Sequence, residues 1–483
     1  MRQRILKKEW LALHVLTLFG IVLSICSFTG CKDDKANEQE YDPSKPIIFT
    51  DFSPKEGAVR TRLFITGDNI GTDVSRIQVF VGGKQAKVIG SDGKQVYCMV
   101  PKRAYDKSVI IQVLNANGEV AVEHKFEEEF TYTAQTTVGT LIRKVDENGN
   151  ASAIDGSFDV ASIDNPDWMM FQSKPGPNGY KELFISKNKS HIRKIDLLNE
   201  TISTVITNAQ AMCNNMQKFC FTAEGDTLFL SDDNGQATGT AKTNLFYMLR
   251  SEQFRKSHPY LQNPTSYNCV SHPQTHALFF NTYQRAAILK DKGQRDANGV
   301  LVSKPLFELS NFGTAFTGHS STMVIHPSGN YMYIFPNKYS CVLKSNYNWT
   351  TNEFEYPSVF AGAFNQQGYQ DGVGTSARFN YAIQGVFVKN KEYEAAGMID
   401  IYDLYVTDQQ NHCIRKITPD GIVTTFAGRG SSSSDGKVYG YVDGDPLKEA
   451  RFYGPTTIAY DEEIETFYIG ETTNHSIRYI ATE

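Results

Sequence analysis

The sequence predicts an all-β protein that consists of a β-sandwich followed by a six-bladed β-propeller. Short strand-like segments alternate with Gly-rich turns through residues 44–134, which is typical of a sandwich. From residue 136 to residue 483, an apolar strand, a polar turn and a second strand recur as six units. Most of the units lie about 40 to 50 residues apart, the length of one propeller blade.

The composition is that of a globular protein with many tyrosines. Of the 483 residues, 40% are hydrophobic, 21% are charged and 12% are aromatic, and 25 are Tyr. Tyr is common in binding surfaces because it joins a large apolar ring to a polar hydroxyl. The formal net charge is -5 and no long basic run occurs, so nucleic acid is not an expected partner.

The N-terminus has the pattern of an exported, lipid-anchored protein. Basic residues between Arg2 and Lys8 precede the apolar run Leu11–Ile25, which is short for a membrane span. Gly30-Cys31 then resembles a bacterial lipoprotein box. The resemblance implies a signal peptide over residues 1–31 with Cys31 lipidated, and an ordinary secretory peptide is the alternative.

A polar tether follows the lipidation site over residues 32–43. Its start, Lys32-Asp33-Asp34, resembles the export tag of Bacteroidetes surface lipoproteins. This resemblance implies a location at the cell surface, on the outer membrane, with the lipid anchor as the only contact with the membrane.

The cysteine pattern predicts neither a metal site nor a cofactor. No CxxC motif occurs, so a zinc site built on cysteine is not expected. Most of the six cysteines after Cys31 lie in strand-like segments and are expected in the core. The sequence leaves open whether Cys213 and Cys220 form a disulfide.

The first domain resembles a known family. Ser53–Gly57, Ile65–Gly71, Val81-Gly82-Gly83 and Val100-Pro101 follow one another as in an IPT/TIG domain. The resemblance implies an immunoglobulin-like sandwich over residues 44–134. It implies no chemistry, since such domains in surface proteins often serve as spacers or contacts.

The C-terminal repeats resemble NHL repeats. Thr407–Ile417 matches Gly470–Ile480, and Ser186–Ile195 is a weaker copy. The resemblance implies an NHL-type six-bladed propeller over residues 136–483. The last unit stops after Ile480 without an outer strand, and the segment 137–142 is similar to the outer strand Val423–Gly428. We therefore expect the two ends of the repeat region to pair, which removes an exposed sheet edge.

No catalytic residue is predicted. His191, His412 and His475 lie at repeat positions, where hydrogen bonding in turns or between blades is the more common role. The repeated Asp-Gly turns and the repeated arginines have a structural interpretation as well. GxSxG and HExxH motifs do not occur, although catalytic groups scattered over the blades would escape such a search.

A carbohydrate site is predicted on the face formed by the turns between second and third strands and by the links between blades. Aromatic rings stack on the apolar faces of sugars, and amides bind the hydroxyls. Trp168 either points toward the channel mouth or fills the core between blades. Tyr369 lies in a similar link. The predicted ligand-binding residues are Trp168, Tyr267, Tyr283, Tyr339, Asn215, Asn268 and Gln384.

Three functions remain open from the sequence. The first is a surface glycan-binding protein of a polysaccharide-uptake system, with a polysaccharide or oligosaccharide and an outer-membrane transporter complex as partners. The second is a propeller-type polysaccharide lyase or glycoside-processing enzyme. The third is a surface scaffold for protein interactions.

Overall fold

A computed structural model describes residues 41–482, except for positions 60, 102–106, 176–178, 180, 188, 239–240, 263–264, 283–286, 296–300, 313–319 and 432–434. The predicted signal peptide, Cys31 and residues 32–40 of the tether lie outside the described residues. The chain divides after Gln135 into two compact units. Within the described ranges, no helix is long and apolar enough to cross a membrane.

The first unit is a β-sandwich, antiparallel except for the short parallel pair of Glu56–Gly57 with Thr131–Tyr132. Its strands are β1 (Ile48–Ser53), β2 (Glu56–Gly57), β3 (Arg62–Asp68), β4 (Ile77–Val81), β5 (Lys84–Ser91), β6 (Gln95–Met99), β7 (Val109–Leu114), β8 (Val120–Lys125) and β9 (Thr131–Tyr132). Strand β5 pairs with β4 through residues 84–86 and with β6 through residues 87–91, so it joins two layers. Alternate residues of β4 and β7 are buried in one shared core, as period-2 patterning requires.

The strand topology of the second unit confirms the predicted propeller. The second unit contains six sheets, each with its strands in antiparallel order. Blades one to three contain β11 (Gly156–Ser157), β12 (Pro166–Phe171), β13 (Leu183–Lys187), β14 (His191–Asp196) and β15 (Thr201–Thr207); β16 (Met216–Phe221), β17 (Thr227–Thr238), β18 (Ala241–Leu249) and β19 (Ser257–Gln262); and β20 (Cys269–Ser271), β21 (Leu278–Asn281), β22 (Ala287–Arg295) and β23 (Leu301–Glu308).

Blades four and five are followed by a last blade that uses both ends of the unit. They contain β24 (Ser321–Ile325), β25 (Tyr331–Pro336), β26 (Cys341–Asn348), β27 (Glu353–Phe354) and β28 (Ser358–Gly362); and β29 (Gly372–Val373), β30 (Ala382–Lys389), β31 (Tyr402–Asp408), β32 (Cys413–Ile417) and β33 (Ile422–Gly428). Blade six contains β34 (Pro455–Asp461), β35 (Thr466–Glu471), β36 (Ser476–Thr482) and β10 (Thr136–Arg143). A short helix, α1 (Lys391–Ala395), lies between β30 and β31.

The ring closes as the sequence predicts. Strand β10 pairs antiparallel with β36, from Thr136 opposite Thr482 to Arg143 opposite Ser476. Val138 and Ile142 are fully buried in β10. The N-terminal strand of the propeller is therefore the outer strand of its last blade, and it covers the edge that β36 would otherwise expose.

A repeated arginine joins the outer part of three blades. Arg193, Arg415 and Arg478 are buried, and each forms an ion pair with the Asp of an Asp-Gly turn. These partners are Asp155, Asp371 and Asp443, which also accept hydrogen bonds from Thr204, Thr425 and Thr140, respectively. A buried guanidinium needs such partners because desolvating an unpaired charge costs several kcal/mol. Thr140 lies in β10, so the closing strand takes the same place as the outer strands of the other two blades.

The six described cysteines, Cys98, Cys213, Cys220, Cys269, Cys341 and Cys413, are free and buried. The possible bond between Cys213 and Cys220 is absent from the described structure, since the Cys213 thiol donates to the Ala211 carbonyl over 3.6 Å. The Sγ atom of Cys220 lies 3.6 Å from that of Cys269 in the next blade. The irregular spacing of the cysteines in the sequence does not indicate that Cys220 and Cys269 are neighbours.

Removing the closing strand should prevent the propeller from folding stably. We expect the fragment 136–483 to fold, and the fragment 150–483 to lose at least about 3 kcal/mol, because two apolar side chains lose their burial. Thermal unfolding followed by circular dichroism compares the two fragments. Equal unfolding midpoints would contradict the closure.

Candidate functional site

The inner strands of the six blades surround a central channel. These strands are β12, β16, β20, β24, β30 and β34, and each contacts the inner strand of the next blade. We call the face where they begin the N face and the face where they end the C face. The turns between second and third strands and the links between blades lie on the N face, where the sequence predicts a carbohydrate site.

Trp168 lies inside the wall of this channel. Its side chain is 4% exposed, and its indole N–H donates to the carbonyl of Phe219 in blade two over 2.9 Å. The ring packs with Met216 and Phe219 in one core cluster. The second of the two expected placements, the core between blades, is therefore the one observed. The ring of Trp168 therefore faces blade two rather than the channel mouth.

Two of the predicted amides join different blades inside the propeller. The Gln384 amide donates to the Met169 carbonyl over 2.7 Å, and its Oε1 accepts from the Ile458 N–H over 3.4 Å. Asn268 is fully buried, and its Oδ1 accepts from the Met323 N–H over 2.9 Å. These oxygen atoms satisfy backbone groups that would otherwise lie unpaired in the channel.

The remaining predicted residues are divided between the interior and the N face. Tyr339 is 2% exposed and stacks on Phe364 with ring centroids 4.9 Å apart, so its ring is not on the surface. Asn215 and Tyr267 are half-buried at the N face, beside the start of β16 and β20. Tyr283 lies outside the described residues. Of the predicted ligand-binding residues that the structure describes, only Asn215 and Tyr267 are partly exposed on the N face.

A buried cation lies near this face. The Lys218 ammonium is 2.5 Å from Asp167 Oδ2 and 4.5 Å from the Tyr267 ring centroid. Burial lowers the pKa of Lys218, but the charge of Asp167 and the contact with Tyr267 raise it above its ordinary value. Lys218 therefore stays charged, and Asp167 neutralises it.

A cavity of about 310 Å³ occupies the channel at the C face. Trp168 and Gln384 form its inner end, and the C-terminal halves of the inner strands form its walls. Met170, Phe221 and Ile325 are typical of its apolar lining. Among the described residues that line it, none carries a formal charge.

A partly exposed aromatic strip crosses the N face between blades five and six. We define the strip as Tyr369, His412, Arg429, Tyr439 and Tyr453. The ring centroid of Tyr439 is 4.7 Å from that of Tyr453 and 5.2 Å from that of His412. The Arg429 guanidinium lies 3.7 Å from the Tyr369 ring centroid.

Local hydrogen bonds hold this strip in place. Arg429 donates to the Asn411 carbonyl over 2.9 Å, and the Gly454 N–H donates to His412 Nδ1 over 3.2 Å. Gly454 has a φ of +67°, and a side chain there would meet Thr473 Oγ1 at 2.9 Å. Burial, and then the charge of Arg429, lower the pKa of His412. The ring is therefore neutral near pH 7, with its proton on Nε2 as a hydrogen-bond donor.

Sequence reasoning singled out Tyr369 and His412 but missed Arg429, Tyr439 and Tyr453. The last three lie at the ends and in the middle of the long link between β33 and β34. The link contains the repeated Asp443-Gly444 turn, but that repeat does not indicate which of the rings in the link meet. The cluster of tyrosines between residues 439 and 453 is the one sequence signal that pointed there.

Comparisons with known proteins agree with this architecture. Residues 46–133 match the IPT/TIG domain model. An auxiliary nutrient binding protein from Bacteroides thetaiotaomicron has 34% identity and a TM-score of 0.67, over 92% of this chain and 99% of that chain. An auxiliary nutrient binding protein from Bacteroides ovatus has 32% identity and a TM-score of 0.66, over 92% and 100% of the two chains.

A third similar structure has a different name. This B. thetaiotaomicron protein, whose name proposes a phosphatase, has 30% identity and a TM-score of 0.66, over 92% of this chain and 98% of that chain. No curated protein sequence matches the chain significantly.

Truncating Trp168 should mainly destabilise the propeller. We expect Trp168→Ala to lower the free energy of unfolding by about 3 to 5 kcal/mol, because it empties a packed site and leaves the Phe219 carbonyl unpaired. Urea unfolding measures this loss, with Trp349→Ala as the control, since Trp349 is 45% exposed. An unchanged urea midpoint for Trp168→Ala would contradict the structural role.

Proposed function

The chain belongs to the family of two-domain Bacteroides proteins that includes these auxiliary nutrient binding proteins, and from this premise we propose that it binds a nutrient glycan. The ligand class that fits is a neutral or mildly charged polysaccharide or oligosaccharide. The protein captures it without chemical change and presents it to an outer-membrane transporter complex.

The aromatic strip is the observation that carries this proposal. The rings of Tyr439 and Tyr453 meet at an interplanar angle of 33°, and both are only half-buried. Such rings present apolar faces to the C–H groups of a sugar, while their hydroxyls remain available for hydrogen bonds. Arg429 and the Nε2–H of His412 are donors beside them for hydroxyl or carboxylate groups.

The open strip suits a polymer better than the C-face cavity does. A polymer has to lie across its site and leave on both sides. The cavity has an inner end formed by Trp168 and Gln384, which bond to neighbouring blades. Its uncharged, largely apolar lining also offers few partners for sugar hydroxyls, and unpaired hydroxyls in such a site cost free energy.

Binding should depend on the strip and not on exposed aromatic residues in general. We expect a polysaccharide that slows the protein in affinity electrophoresis to bind it with a dissociation constant in roughly the micromolar to millimolar range. Tyr453→Ala should weaken binding about tenfold, because it removes one of the two neighbouring tyrosine rings of the strip. Affinity electrophoresis against a panel of neutral and mildly acidic polysaccharides measures this, and isothermal titration then gives the affinities.

The matched control is Trp349→Ala on the C face, which should bind as the unchanged chain does. Equal affinity for Tyr453→Ala and the control would place the glycan site elsewhere. Release of shortened glycan or, from a phosphate ester, of inorganic phosphate would instead support an enzyme.

The proposal also requires attachment at the cell surface through Cys31. We expect Cys31→Ala to move the protein from the outer-membrane fraction to the soluble fraction, because a lipid chain supplies the anchoring free energy. Immunoblots of fractionated cells measure this change. The unchanged protein should be cleaved by protease added to intact cells, and protection there would contradict the surface location.

A further inference from the structure

The C-face cavity has the properties of a second binding site, unrelated to glycan capture. We propose that it binds a small, uncharged, mainly apolar molecule of about two rings that carries one hydrogen-bonding group. The site is separate from the aromatic strip because it lies at the other end of the channel, beyond Trp168 and Gln384.

The lining determines the polarity of the ligand. Met169, Met170 and Met323 contribute thioether side chains, which adapt to ligands of irregular shape. Phe171, Phe221 and Tyr460 contribute aromatic rings, and no described lining residue carries a charge. An ion entering this space would lose its hydration without gaining a counter-charge, so a charged ligand is excluded.

The polar side chains at the inner end of the cavity need no hydrogen bond from a ligand. The Trp168 N–H and the Gln384 amide already have backbone partners in neighbouring blades. The Ser271 hydroxyl differs, because it is buried in the lining and has no hydrogen-bond partner within the described part of the chain. A buried hydroxyl without a partner costs free energy, which one polar group of a ligand would recover.

The walls also contain two neighbouring thiols. Cys220 and Cys269 line the cavity with Sγ atoms 3.6 Å apart. Burial, together with the second thiol, raises the pKa of Cys220 well above its ordinary value, so the Cys220 thiol is uncharged. Protonated thiols behave as small apolar groups.

The volume determines the size of the ligand. A cavity of about 310 Å³ lies at the lower end of the range for small-molecule sites. An engineered apolar cavity of about 150 Å³ holds one benzene ring, so this space accommodates about two rings. A fused bicyclic molecule with one hydroxyl matches the cavity in size, polarity and hydrogen bonding.

The probe for this site is 2-naphthol, and naphthalene-2-sulfonate is its charged counterpart of the same ring size. The protein is the chain from residue 32 onward, which retains both folded units. The substitution Trp349→Phe leaves Trp168, at the inner end of the cavity, as its one tryptophan. We expect 2-naphthol to quench Trp168 fluorescence saturably, and naphthalene-2-sulfonate to have no effect at the same concentrations.

Two variants locate the bound probe. Ser271→Ala should weaken 2-naphthol binding roughly fivefold, as expected for one net hydrogen bond, and leave naphthalene binding unchanged. Val324→Trp, added in the chain that retains Trp349, should fill the space and abolish binding in a calorimetric titration. If Val324→Trp does not fold, the Ser271→Ala comparison between 2-naphthol and naphthalene decides.

Tyr453→Ala should bind 2-naphthol like the unchanged chain, because the strip lies on the other face. If glycan binding fails while 2-naphthol still binds, the proposal for the C-face cavity is therefore unaffected. Quenching by the sulfonate equal to that by 2-naphthol, or no saturable quenching by either, would overturn the proposal.

Discussion

Closure of the ring by β10 and β36 is the constraint on which the rest of the propeller depends. Every inner strand of a blade packs against the inner strands of its neighbours, so the channel keeps its width only while the ring is complete. The pairing unites strands more than 330 residues apart, as the contact between Arg143 and Asn474 illustrates. Loop-closure entropy makes such a contact costly to form, and buried residues such as Val138 offset that cost.

The fold was largely predictable because its signals are periodic or belong to known motifs. Thr407–Ile417 and Gly470–Ile480 repeat, and the segment 137–142 is similar to another outer strand, so six blades and their closure follow. The site was less predictable because side-chain direction in an inner strand depends on the neighbouring blade. Trp168 and Asn268 look like ligand-binding residues by type, yet both satisfy backbone groups of adjacent strands. Tyr439 and Tyr453 lie in a link whose one repeated turn, Asp443-Gly444, does not indicate which rings meet.

The polar side chains in the channel divide it chemically. Near the N face, Lys218 and Asp167 form a buried ion pair, and ion pairs are retained in an interior only where both charges have close partners. Farther along, Gln384 bonds to two other blades, and beyond it the lining carries no charge. The same six strands thus change from charged to apolar within one channel.

This division explains why the two proposed sites require different ligands. On the N face, Tyr369 and Tyr453 lie in links that are free of the ladder of strand hydrogen bonds, so their rings are able to lie at the surface. At the C face, the walls are the strands themselves, whose inward side chains are apolar because neighbouring blades pack on them. A surface made from links suits an extended, hydroxylated chain, whereas a concave space made from strands suits a compact apolar molecule. The two sites therefore follow from which part of each blade faces the ligand.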